Sequence, residues 1–513
     1  MNELLLLLPV AVPILAACGY GLLGWRPATA WIGACGAAGL LAAAITIAVA
    51  VAHAGPRTAL GGLLRTDALS AFMLIVIGAI GLAATAATPA YFAAEITAGR
   101  ATPRTAARHS LLVALFLAAM AAAVLAANLG VLWVAIEATT ICTAFLVGQR
   151  RTRAAVEAAW KYVVICSTGI ALALLGTLIL NYAATSAGKP GLDLAALTAT
   201  AHSMDQPVTR IAVVLLILGF GTKVGLVPLH AWLPDAHSQA PAPVSALMSG
   251  VLLSVAFYAI LRVKTIADAA LGAGFARTIL LVMALATLAV AATLLLAQRD
   301  YKRMLAYHSM EHMGLLGLGA AIGTRLALAA VLLHILGHGL AKAVLFLGSG
   351  RILQLTGSSQ VNDVRGLAAQ DPVLAGCIGL GVFALLGFPP FSLFASELGM
   401  FRAGFSAGLG WVITPALMLV LVITAALFAH SGHMLLGNPT STTAATPPGE
   451  ALLREGPGAA TAIAMMAPAS GRTPASTVTV LTAGLLACAV LGVLAQPLWP
   501  LLSLAADTIA GTP

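Results

Sequence analysis

Apolar residues in this chain come in runs too long and too even for the face of a water-soluble helix. Windows such as 4–25, 68–94, 109–136, 162–188 and 278–298 hold no Asp, Glu, Lys or Arg at all, and crossing a bilayer takes about 20 apolar residues. Divided at their Pro, Gly and polar breaks, the runs predict fourteen transmembrane helices: 3–24, 28–53, 68–92, 109–127, 129–148, 160–183, 208–229, 238–262, 276–297, 303–323, 326–350, 372–401, 409–436 and 476–499. The expected fold is therefore an all-α integral membrane protein. The first run carries Glu3 instead of a basic start and shows no small-residue cleavage site, so it reads as a retained helix. Residues 438–475, rich in Ala, Thr, Pro and Gly, show no sustained helical face and are expected to form a flexible linker.

Composition sharpens this picture. Only 8% of the 513 residues are charged and 60% are apolar, too little polarity to cover a water-soluble globule, so a soluble enzyme is excluded. The formal charge of +9 resides mostly in short loops, where it orients a membrane protein instead of meeting nucleic acid. Loops after odd-numbered predicted helices, including Arg299, Lys302 and Arg303, carry 15 Lys and Arg; loops after even-numbered ones, including Arg262 and Lys264, carry 9. That asymmetry places the odd side in the cytoplasm and both termini outside. The two remaining cations, Lys223 and Lys342, lie inside apolar runs. The cysteines at 18, 35, 142, 166, 377 and 488 form no CxxC spacing, so no cofactor or metal is expected in this chain.

An ionisable group near the bilayer centre costs roughly 2.5–3.5 kcal/mol on insertion scales, which makes each one a functional candidate. Glu137 lies in NLGVLWVAIEATTICTAFLVG. Lys223 lies in LLILGFGTKVGLVPLHAWLPDAHSQAP, where Gly and Pro mark a helix interrupted at depth. A carboxylate beside a buried ammonium keeps it charged, and separating the two changes its proton affinity, as a proton pump requires. In the second half, His334, His338 and Lys342 recur at i, i+4 and i+8 on one helical face. The pair of histidines lacks further local ligands, which argues for a proton relay over a metal site. Glu397 follows the Pro389–Pro390 break in GFPPFSLFASELGMF. Second-rank candidates are His308, Glu311 and His312 in KRMLAYHSMEHMG, which also share a face, and His230, Asp235 and His237 around the Pro-rich break. These last could admit protons or simply build a turn.

The stretches GTKVGLVPLHAWLPDAHSQAPAPVSALMSGVLL, RDYKRMLAYHSMEHMG and HILGHGLAKAVLFL resemble the antiporter-like subunits of respiratory complex I and the Mrp-type cation/proton antiporters. NLGVLWVAIEATTICTAFLVG and KRMLAYHSMEHMG most resemble component F of hydrogenase 4, which belongs to group 4 membrane-bound hydrogenase and formate hydrogenlyase complexes. The resemblance implies two inverted five-helix repeats, helices 4–8 and 9–13, with helices 7 and 12 broken. It divides the chain into 1–108, 109–263, 264–437, the linker 438–475 and 476–513. It matches Glu137, Lys223 and Glu397 to the family's ionisable positions and His334 and Lys342 to polar positions on helix 11, with His338 on the same face, and these six are the expected proton-translocating residues. One departure concerns helix 8, where relatives commonly carry GVLLK and this chain has GVLLS: Ser254 holds no titrating charge. The chain also stops too soon after helix 14 for the long lateral helix of the most distal complex I subunit.

The function so implied is proton translocation as a non-redox membrane subunit of a complex I-like enzyme in a bacterial or archaeal inner membrane. Other membrane subunits and peripheral redox subunits with Fe–S clusters would be its partners. The competing reading is a subunit of a multi-subunit cation/proton antiporter or bicarbonate-uptake system without hydrogenase. A third reading, an idle scaffold, fits poorly with retained Glu137, Lys223 and Glu397.

Overall fold

The structure is a computed structural model that describes residues 3–186, 188, 191–437 and 472–511. The expected linker lies almost wholly outside the described residues. The elements are α1 (Glu3–Leu23), α2 (Ile32–Ala54), a three-residue hairpin β1–β2 (Arg57–Ala59, Leu64–Thr66), α3 (Ala68–Thr97), α4 (Pro103–Leu125), α5 (Leu129–Val147), α6 (Arg153–Ser186), α7 (Leu194–Thr200), α8 (Gln206–Val224) and α9 (Trp232–Gln239). They continue with α10 (Ala242–Leu271), α11 (Ala273–Leu296), α12 (Tyr301–Ile322), α13 (Arg325–Thr356), α14 (Pro372–Leu385), α15 (Ser392–Ser406), α16 (Gly410–Leu436), α17 (Ala475–Val493) and α18 (Trp499–Ala510). Among the described residues the protein is all-α apart from that hairpin and three isolated bridges, and twelve of its helices are long and apolar enough to cross a membrane. It is a multi-pass membrane protein.

Burial is distributed unevenly among the helices. α10, α12 and α13 are buried on nearly every face, whereas α5, α6 and α16 turn large apolar side chains such as Phe145, Trp160 and Leu421 outward. The outer helices thus meet lipid and wrap an inner set. α12 is absent from the twelve because His308, Glu311 and His312 lower its hydropathy, and its neighbours, not lipid, surround it. Side-chain oxygens at the helix starts satisfy the first free backbone donors: Asp67 accepts from Ser70 N, Asn128 from Gly130 N and Asp300 from Lys302 N.

Two spans that read as single helices in the sequence are divided. α8 stops at Val224, where Gly225 takes a left-handed φ of +83° that only glycine adopts without strain. The chain crosses seven residues before α9, and Trp232 Nε1 donates to the Thr222 carbonyl at 2.8 Å, satisfying an acceptor freed by the break. α14 likewise ends at Leu385, and α15 restarts at Ser392. A different boundary shifts at α10, which runs on to Leu271 and includes a π-turn over Met248–Leu252. Arg262 and Lys264, counted above as loop cations, are therefore helical. Arg262 bridges α10 to Asp67 Oδ1 at 2.7 Å and to Ser70 Oγ at 2.9 Å, with its guanidinium over the Tyr258 ring.

Several helix pairs approach closely at glycines. A Cβ on Gly219 of α8 would lie 2.6 Å from both Ala173 N and Gly169 O of α6. On α10, a Cβ on Gly250 would lie 3.0 Å from the Gly339 carbonyl of α13. Gly219→Val is therefore expected to push α8 from α6 and cost about 1–3 kcal/mol, read as a lowered midpoint of thermal unfolding in detergent. Burial raises the Asp67 carboxyl, but the Arg262 guanidinium overrides it and holds the group at about 2. The pair's contribution, roughly 2–3 kcal/mol, is present above about pH 4 and disappears as pH falls through about 2. The unfolding midpoints of wild type and Asp67→Asn should hence differ at about pH 6 and converge as pH falls through about 2.

Candidate functional site

Lys223 is the last basic residue of α8, one position before the helix ends, and is fully buried. Its Nζ donates to the Tyr162 hydroxyl of α6 at 2.8 Å and lies 4.9 Å from that ring's centroid. Tyr162 in turn packs edge-on against Trp232 of α9, so both sides of the break hold the lysine. The expected Glu137–Lys223 ion pair is not formed: no carboxylate lies within 4 Å of Lys223 among the described residues. Glu137 is half-buried and accepts from Thr140 Oγ1 at 2.9 Å on its own helix. The phenol, the ring face and the negative end of the α8 dipole stand in for the missing carboxylate.

In the second half the sequence-predicted histidines do converge. His312 Nδ1 and His334 Nε2 are 2.9 Å apart, and His334 Nδ1 is 2.9 Å from Ser396 Oγ of α15. The His312 ring lies 4.8 Å from both His308 and His338. His308 Nδ1 is 3.0 Å from Glu311 Oε2, and Glu397, half-buried, falls with His312 and His334 in one group of donors. α12, α13 and α15 thus bring all the second-half candidates together. Several ring nitrogens, including His312 Nε2 and both of His338, are buried with no hydrogen-bond partner in the structure. The Glu397 carboxylate rests against the α14–α15 break, where Gly387 has φ +64° and an added Cβ would lie 2.5 Å from Oε2.

Between these two ends lies a group that the sequence pattern puts in a loop. Lys302 is 1% exposed, and its Nζ donates to the carbonyls of Ser238 at 2.9 Å and Ala240 at 2.7 Å. Lys342 is buried and donates to the Leu305 carbonyl at 2.7 Å. Within electrostatic reach of both lysines is His237, fully buried, stacked on Phe346 at 4.9 Å and unpartnered at both nitrogens. Ser254 is buried too, but its hydroxyl donates to the Gly250 carbonyl. Asp235 bonds Lys161 at 3.1 Å and also Arg303, tying α9 to α6 and α12, so it acts as a fastening of the break. His230 is half-buried within the break. A second unforeseen group is Glu95 of α3, which accepts from Arg100 and Gln354 beside a cavity of about 260 Å³ that Arg150 and Gln239 also line.

Comparison with known proteins agrees with this architecture. The profile of the family described as NADH:quinone oxidoreductase/Mrp antiporter, TM, matches residues 126–424, and the chain belongs to that family. It is 37% identical to the Hydrogenase-4 component F homolog of Methylacidiphilum infernorum over 67% of this chain and 73% of that one. It is 34% identical to NADH-quinone oxidoreductase subunit N of Desulforudis audaxviator over 71% and 70%. Among solved structures it superposes on a chain of the archaeal membrane-bound sulfane sulfur reductase with a TM-score of 0.83 at 22% identity, covering 99% of this chain and 98% of that one. It superposes on one of the Mrp complex from Dietzia sp. with a TM-score of 0.82 at 23% identity, covering 99% and 97%. The chain is a multi-pass membrane subunit of the complex I, Mrp and hydrogenase-4 superfamily, and it is similar to hydrogenase-4 component F.

Because Tyr162 is the side-chain acceptor for the Lys223 ammonium, Tyr162→Phe should leave the ring contact and remove a hydrogen bond to charge worth about 1.5–3 kcal/mol. The expected readout is a lower unfolding midpoint in detergent, and Tyr162→Ala should fall further.

Proposed function

We propose that this protein translocates protons as a membrane subunit of a complex I-like redox assembly, of the group 4 membrane-bound hydrogenase type. The observation that carries the reading is three fully buried lysines, Lys223, Lys302 and Lys342, none with a carboxylate within 4 Å among the described residues. The three ammoniums bond a phenol or backbone carbonyls in place of a carboxylate. Such groups are costly in lipid, and carrying protons accounts for their retention. The series runs from Glu137 through Lys223, His237, Lys302 and Lys342 to the histidines and Glu397. Ser254 contributes a hydroxyl and no charge, so His237 and water serve the step between the halves.

In this reading α8–α9 and α14–α15 each count as one broken span, which gives fourteen spans, and α4–α10 and α11–α16 form the two inverted repeats. Both termini are outside the cytoplasm and the protein resides in a bacterial or archaeal inner membrane, with Fe–S subunits on the cytoplasmic side and no cofactor for electron transfer in this chain. The similarity to the hydrogenase-4 component F homolog supports the hydrogenase assignment. The similarity to a chain of the Mrp complex supports the second reading, a cation/proton antiporter or bicarbonate-uptake subunit that works without a redox partner.

The test is acidification of inverted vesicles holding the whole complex, driven by its redox substrate. Lys223→Ala should assemble normally and lose proton uptake by roughly 100-fold. Unchanged uptake in an assembled variant would reject a coupled path through Lys223 and move the antiporter reading to first place.

A further inference from the structure

The histidines of α12 and α13 lack, in the sequence, the further local ligands a metal needs, yet the fold supplies them from a third helix. His312 Nδ1 and His334 Nε2 face each other across 2.9 Å, sharing one proton. The carboxylate of Glu397 joins them, with all three donor atoms within 4.8 Å of one another. Two ligands on a tetrahedral zinc stand about 3.3 Å apart, given bonds of about 2.0–2.1 Å. The imidazoles therefore need to open by only about 0.4 Å for an ion to replace the proton between them, while the carboxylate closes in from a flexible side chain.

The surroundings fit as well. His334 Nδ1 is occupied by Ser396 Oγ, whose hydroxyl lies 2.9 Å from the Leu393 carbonyl. This fixes the ring so that Nε2 is its free donor, as the outer partners of metal-bound histidines do. When an ion takes His312 Nδ1, the displaced proton moves to Nε2 of the same ring. That nitrogen is buried and unpartnered, and His308 Nε2 and both nitrogens of His338, also unpartnered, belong to rings each 4.8 Å from the His312 ring. No proton has to leave the site for the imidazoles to bind. Access is available at the α14–α15 break, where Glu397 is half-buried and Phe388, Pro389 and Pro390 are exposed.

We propose that His312, His334 and Glu397 form a reversible binding site for a divalent transition metal of the zinc class, and that the bound ion blocks the second half of the path. Two imidazoles, one carboxylate and an open fourth position for water match the donor set and geometry zinc takes. The binding stands on the geometry alone, whereas the block rests on the proton-path reading.

The experiment uses the purified whole complex in lipid nanodiscs, stripped with chelator and titrated with zinc alone. One zinc per copy of this subunit is expected, with an X-ray absorption spectrum of nitrogen and oxygen ligands at about 2.0–2.2 Å. That spectrum is read on the wild type and needs no variant to fold. His334→Gln and Glu397→Gln should each weaken binding at least about 10-fold and Ser396→Ala by about 10–100-fold, while Glu311→Gln leaves it unchanged. No uptake by wild type, full affinity in both His334→Gln and Glu397→Gln, or loss in Glu311→Gln instead would overturn the site. Zinc that binds as expected without slowing wild-type proton uptake would overturn the block. Failure of the path itself shows separately, as unchanged uptake in Lys223→Ala, and leaves the zinc titration unaffected.

Discussion

Everything polar in this molecule depends on a charge being solvated where neither water nor lipid solvates it. The fold answers by nesting: α10, α12 and α13 carry or adjoin the ionisable side chains and are sheathed by helices whose outer faces are apolar. Lipid therefore meets leucine, phenylalanine and tryptophan, and the buried ammoniums meet carbonyls, a phenol and helix ends. The two helix breaks follow from the same constraint. An interrupted helix leaves backbone carbonyls that need partners within the protein, and it is beside these interruptions that Lys223 and Glu397 sit. One of the freed carbonyls is taken by Trp232, and the Asp235 bonds to Lys161 and Arg303 keep the second half of the broken span in register.

The spans are legible because lipid imposes a crude and strong rule, about 20 apolar residues per crossing, that needs no tertiary information. Gly225 and Pro389–Pro390 lie in the stretches between one helix and the next, although the pattern draws each inside a single helix. The rule fails where protein replaces lipid as solvent. Lys302 looks like a loop cation because it neighbours Arg299 and Arg303, but α12 starts at Tyr301, and Lys302 turns inward while Arg303 turns outward to Asp235. The cue is present in Asp300, a capping residue immediately before. Arg262 and Lys264 escape for a related reason: α10 runs nine residues past the boundary that composition suggests.

The candidate site is half legible. Periodicity puts His334, His338 and Lys342 on one face and His308, Glu311 and His312 on another, but that those faces meet is a tertiary fact with no local signature. The Glu137–Lys223 pair rests on opposite charge alone, and the structure gives Lys223 a phenol instead. A tyrosine in an apolar run carries no charge to attract notice, so Tyr162 is invisible to an argument built on ionisable groups. Glu95 is missed for the opposite reason: it lies close enough to Arg100 to look like the end of a helix.

The closeness of Gly250 and Gly339 has an architectural meaning. α10 belongs to the first half of the chain and α13 to the second, and here a Cβ on either glycine would lie 3.0 Å from the other's carbonyl oxygen, with the Ile80 side chain of α3 packed against both. Glycine at both positions leaves Ile80 as the side chain that fills the seam. The contact lies one residue from His338 and within the turn that holds Ser249 against Ser309 at 2.8 Å, so the polar centre of the second half is packed directly on a helix of the first.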